Sequence, residues 1–204
     1  MNMKCRNGFS GMTAGRVVLV AVLVMLSSLS GFGRGPKQET IEAMAMGTGT
    51  QTGRTFGVTL NIAEFSTPED KQILIDSYAK AQNQGLYNAL RKMRAVGHIE
   101  VTGTVGYDCV YISMVPTAEG RRIRFITNRP ITFGEAWTDS NSMSYDMTVG
   151  EIMLNDQEKH KSTGKLFPAV QIVLDKMGQP QIELYQNAWA LSDVLDWKGT
   201  PGVN

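Results

Sequence analysis

Apolar residues recur at every second position from Arg54 onward. Phe56, Val58, Leu60 and Ile62 alternate with Thr55, Gly57, Thr59 and Asn61, which is the period of a half-buried strand. Similar short runs follow along the chain. Ile99, Val101 and Val105 alternate with His98, Glu100, Thr102 and Thr104, and further runs cover Tyr107–Val115, Arg121–Thr127, Ile131–Thr138, Tyr145–Leu154, Leu166–Asp175 and Gln181–Gln186. Between them lie turn signals: Gly106, Pro116–Gly120, Asn128–Pro130, Asp139–Ser142, the charged stretch Asn155–Gly164, and Met177–Pro180. Strands at this spacing predict an antiparallel meander of about seven to eight strands, as a rolled sheet or barrel.

One segment reads differently. Thr67-Pro-Glu-Asp70 has the marks of a helix start, with Thr67 as N-cap, Pro68 at the first helical position, acids in the first turn, and Asp70 placed to close a capping box. Leu74, Tyr78 and Ala81, then Leu86, Leu90 and Met93, follow at helical spacing, and Gly85 predicts a division into a longer and a shorter helix. A short C-terminal helix is also predicted, with Asn187 as cap and Leu191, Val194 and Leu195 facing inward. The class is α+β and β-rich, with a helical insertion after the first strand. This order of elements resembles the helix-grip fold of lipid- and hormone-binding START-like proteins. That resemblance implies a long C-terminal helix roofing a cavity on an open sheet, whereas the candidate here has about two to three turns.

The chain has 204 residues and two cysteines, too few for a disulfide scaffold or a zinc ribbon. Residues 1–33 hold Lys4, Arg6 and Arg16 and no acid, then the apolar run Val17–Leu26, then small residues. This predicts a signal peptide cleaved between about Ser28 and Arg34, a retained anchor being the other reading of the same flank. The apolar run is about half of the ~20 residues that span a bilayer, so no stable membrane span is expected after cleavage. Residues 34–53 read as a flexible lead-in, and residues 54–204 as a single β-rich domain. Of the 20 Lys+Arg and 19 Asp+Glu, three basic residues leave with the leader. A net charge of about −2 does not favour nucleic acid. Cys5 leaves as well, so the exported chain keeps one thiol and must rely on a packed core.

The strings Ala45–Gln51, Ser66–Asp70, Gly97-His-Ile and Thr127–Glu135 resemble a group of uncharacterised exported bacterial proteins of unknown function. The resemblance spans most of the mature chain. It implies export, to the periplasm or the extracellular space, and a shared fold. It brings no activity, ligand or site residue.

Local chemistry is sparse. Asp156-Gln-Glu-Lys-His160 reads as a solvated turn, because the flanking lysines would repel a metal ion. His98 falls on the polar side of its strand, and Cys109, beside Asp108 in an apolar run, reads as a buried inert thiol. No Gly-x-Ser-x-Gly elbow is present, and Gly47–Gly53 lacks the ending of a phosphate loop. Arg121, Arg122, Arg124 and Arg129 form the densest positive region, so Arg122, Arg124 and Arg129 are the candidate anion-binding residues, set against pairing with acids on neighbouring strands. No metal or cofactor is implied. The expectation is a non-enzymatic exported domain, structural or binding an apolar or anionic small molecule in a sheet-lined cavity. The alternative is a hydrolase-type enzyme with a site assembled from separate loops. A closed cleft joining a carboxylate to His98 or His160 would favour the enzyme.

Overall fold

The computed structural model describes residues 38–131, 146–174, 180–184 and 187–198. Residues 1–33, expected to be a signal peptide, and most of the run Ile131–Thr138 lie outside the described residues. The elements are β1 (Glu39–Met46), β2 (Thr55–Ile62), α1 (Pro68–Leu90), β3 (Gly97–Val101), β4 (Tyr107–Pro116), β5 (Gly120–Thr127), β6 (Met147–Asn155), β7 (Thr163–Leu174), β8 (Pro180–Leu184) and β9 (Trp189–Lys198). Each strand from β1 to β7 pairs antiparallel with the next, β7 also pairs with β9, and β9 pairs with β1. The sheet therefore closes into an eight-stranded antiparallel barrel, which leaves the ring without a free edge. β8 stands outside the ring and pairs with the C-terminal half of β7, Val170 facing Leu184.

Alternation fills the barrel. Val58, Leu60 and Ile62 point inward and are buried with Ile41, Ile99, Ile112, Ile123, Phe125, Ile152, Leu166 and Trp189. Eight strands enclose space for side chains to fill or for one small ligand, and here these side chains pack together as one apolar cluster. Phe125 fits because its register partner is Gly150, where a Cβ would fall 2.0 Å from the ring. Within this apolar core sits one ionic cluster. Arg121 of β5 reaches across to Glu39 of β1, Nη1–Oε2 2.9 Å, and to Asp196 of β9, Nη2–Oδ2 2.6 Å. Glu39 and Arg121 are 7% and 8% exposed.

Four expectations are corrected. Glu39–Met46, within the expected lead-in, is a full strand between β2 and β9. Its inward face is Glu39, Ile41, Ala43 and Ala45, while Met44 and Met46 face outward. A charge on the buried face and apolar residues on the exposed one hide the alternation. The domain thus includes β1, and the helical insertion follows the second strand instead of the first. The expected C-terminal helix is β9. Opposite Ala43, β9 carries two residues, Asp193 and Val194, and Asp193 has φ +50°. This bulge shifts the inward set from Trp189 and Leu191 to Val194 and Asp196, so a strand acquires the three-residue step of a helix. With a strand where a roofing helix would lie, the helix-grip arrangement does not describe this chain.

The fourth correction concerns α1. Thr67 and Asp70 form the capping box, Asp70 N–H donating to Thr67 Oγ1 at 3.2 Å and Thr67 N–H to Asp70 Oδ2 at 2.8 Å. The helix then breaks at Ala81 and Gln82, the latter at φ +47°, ψ −134°. The break precedes Gly85, where it was expected. Gly85 serves the return of the chain: a Cβ there would lie 2.1 Å from the Ser77 carbonyl oxygen. Eight residues of unbroken helix would separate the two by about 12 Å, so α1 is an elbow whose two arms touch. Leu74, Leu86 and Leu90 pack it onto Val110, Met147 and Val170 of the barrel wall.

Candidate functional site

The elbow of α1 encloses a groove of about 710 Å³. Ile73, Ser77 and Lys80 line it from the first arm, and Gly85, Asn88 and Ala89 from the second. The chain entering and leaving the helix completes it with Glu64, Phe65, Lys92, Met93 and Arg94, over Val96 and Val110. These two stems are tied together, since the amides of Ala63 and Glu64 both donate to the Val96 carbonyl, at 3.0 and 3.1 Å. A small-molecule site usually has this character: a concave, mostly apolar surface of some hundreds of Å³ with a few polar groups.

Charge on the lining is unevenly satisfied. Arg94 forms an ion pair with Glu64, and Asp70 is engaged in the capping box of Thr67. Both acids of the groove are thereby occupied. Among the described residues, Lys80 and Lys92 have no carboxylate within 4.0 Å. An apolar floor with uncompensated ammonium groups at its rim suits a ligand with a negative end.

The sequence-predicted arginines do not converge. Arg124 lies on the outer face of β5 and pairs with Glu151 of β6, its register partner, Nε–Oε2 2.5 Å. Arg122 lies between Val115 and Met153 on the same face. Arg129 follows the end of β5, where it covers the Tyr107 ring at 4.8 Å and donates to the Gly106 carbonyl. Five residues of strand, roughly 16 Å, already separate Arg122 from Thr127, the last residue of β5 before Arg129. Arg121, grouped with them in sequence, alternates inward to the buried cluster.

The histidines lie in neither pocket described for this chain. His98 Nδ1 is 3.2 Å from Asp108 Oδ1 and its Nε2 is 3.2 Å from the Val105 carbonyl oxygen, on strand surface where Asp108 is exposed. His160 is exposed in a 3-10 turn, 3.8 Å from Glu158. Neither imidazole–carboxylate pair sits in a closed cleft. Cys109 is fully buried, and desolvation, with Asp108 adding to it, pushes its thiol far above the ordinary range, which keeps it protonated and inert. A smaller pocket of about 220 Å³ opens near Asp196, between the end of β6 and β9.

No protein-family model, no curated protein and no solved structure matches the chain. Among the described residues no helix is long and apolar enough to cross a membrane. The groove lysines escaped the sequence reading because they stand twelve positions apart and line one groove only through the elbow. Gly85 was the one signal of it, read as a break where it is a contact.

Proposed function

We propose that this chain is a non-enzymatic exported binding domain that holds a small apolar or anionic molecule in the elbow groove of α1. The observation that carries this reading is the groove itself: about 710 Å³ of mainly apolar lining with two ammonium groups that have no ion-pair partner among the described residues. The packed barrel serves as a rigid support, as scaffolds commonly do for sites on loops and helix ends. Export rests on the basic, apolar and small-residue runs of residues 1–33.

The test is titration with anilinonaphthalene sulfonate, an amphiphilic anion that fluoresces in apolar sites. One saturable site per chain is expected, lost in Ser77→Phe, whose ring fills the groove. Unchanged dye binding in that variant, with the fold intact by circular dichroism, would remove the groove as the site.

A further inference from the structure

The geometry points to a single-chain amphiphile with a monoanionic carboxylate head, a fatty-acid-like ligand, as the occupant of the elbow groove. This inference rests on the binding reading above and adds the chemistry of the ligand. Lys80 belongs to the arm of α1 before the break, and Lys92 follows the arm after it, so each arm of the elbow brings a lysine to the groove lining. Both side chains are exposed at the rim, while Val96 and Val110 are buried beneath the same groove. A ligand that satisfies both levels must have an apolar body and a negative end.

Charge decides the class of that end. The lining carries Lys80, Lys92 and Arg94 against Glu64 and Asp70, which leaves one positive charge in excess. A carboxylate neutralises that excess. A phosphate monoester, close to a dianion at neutral pH, would leave an uncompensated negative charge beside Glu64 and Asp70. A neutral alcohol would leave both lysines as they are.

The experiment is competition against the dye by decanoate, decyl phosphate, decanol and decyltrimethylammonium, in the full exported chain. Decanoate is expected to displace the dye best, and its affinity to fall with added salt while that of decanol does not. Lys80→Gln and Lys92→Gln are each expected to weaken decanoate about threefold, and about tenfold together, the scale of exposed ion pairs, with decanol unchanged. Equal displacement by decanoate and decanol, or stronger displacement by decyl phosphate, would overturn the carboxylate while leaving a groove that still responds to Ser77→Phe. If Ser77→Phe alters none of these affinities, the groove reading itself fails, and the ligand class with it.

Discussion

The side-chain amide of Asn83 grips the backbone of Ile172 in both directions. Its Oδ1 accepts from the Ile172 N–H at 2.7 Å and its Nδ2 donates to the Ile172 carbonyl. Ile172 lies where β7 has run past β6, the last paired residue being Val170 opposite Met147. A side chain thus takes the place of a neighbouring strand. Asn83 follows Gln82 directly, so this contact pins the elbow of α1 to the barrel at its point of greatest strain.

Asn83→Ala is therefore expected to destabilise the protein by about 1–2 kcal/mol, since the Ile172 N–H loses its acceptor and the Ile172 carbonyl keeps only the Tyr78 hydroxyl, at 3.5 Å. Gln84→Ala, on the exposed side of the same turn, should stay within about 0.5 kcal/mol of the parent. Urea melts compare them. Equal midpoints for the two variants would show that Asn83 anchors nothing.

The strain at Gln82 has a separate signature. With φ +47° and ψ −134°, the position suits glycine, and relief of such strain outweighs the entropy glycine adds to the unfolded chain. Gln82→Gly is expected to raise stability by about 1 kcal/mol, and Gln82→Val to lower it by more than that. A melt in which valine is tolerated as well as glycine would mean that the break relaxes without cost.

How far the sequence discloses this fold depends on whether a face announces itself. β2 does, because Val58, Leu60 and Ile62 all go inward and the intervening residues are small or polar. β1 does not, because its buried positions begin with Glu39 and its exposed ones include Met44 and Met46. β9 misleads, because the extra residue at Asp193 converts a period of two into a step of three. The start of α1 is legible in Thr67, Pro68 and Asp70, which act locally. Its break is not, because nothing in the composition of Ala81-Gln82 disfavours a helix. The tertiary bonds from Asn83 to β7 and the close seat of Gly85 on Ser77 compensate for it. The groove inherits that invisibility. The arginine cluster shows the reverse failure, where neighbours in sequence are sent to three different places by the pleat and the end of a strand.

Asp146 makes stability depend on pH. Burial raises its carboxyl pKa above the ordinary value, and Arg91 opposes the rise only in part. A carboxyl with a raised folded-state pKa binds protons more readily folded than unfolded. Stability therefore falls as pH rises from the unfolded to the folded value, and the deficit is fully present above both. Asp146→Asn is expected to flatten that limb of the stability profile and to melt at higher urea than the parent at pH 7. A lower midpoint for the asparagine variant at pH 7 would mean that attraction to Arg91 outweighs the burial.

The last expectation concerns the barrel interior. Burial works against the charge of Arg121, but Glu39 and Asp196 more than restore it, so the guanidinium is held above its ordinary pKa. Replacement by methionine removes the cation that bridges Glu39 and Asp196, whose side chains are 9% and 16% exposed. Breaking a buried ionic group from one side costs about 3–5 kcal/mol, because the remaining charges lose their compensation and not merely a bond. Arg121→Met should therefore lose about that much at pH 7. Adding Glu39→Gln and Asp196→Asn to Arg121→Met should recover much of the loss at pH 7, because the buried negative charges that lost their counter-charge are then gone. Urea melts of the single and triple variants compare them. A deficit that neutralising the acids does not relieve would show that Arg121 contributes packing of its methylenes alone.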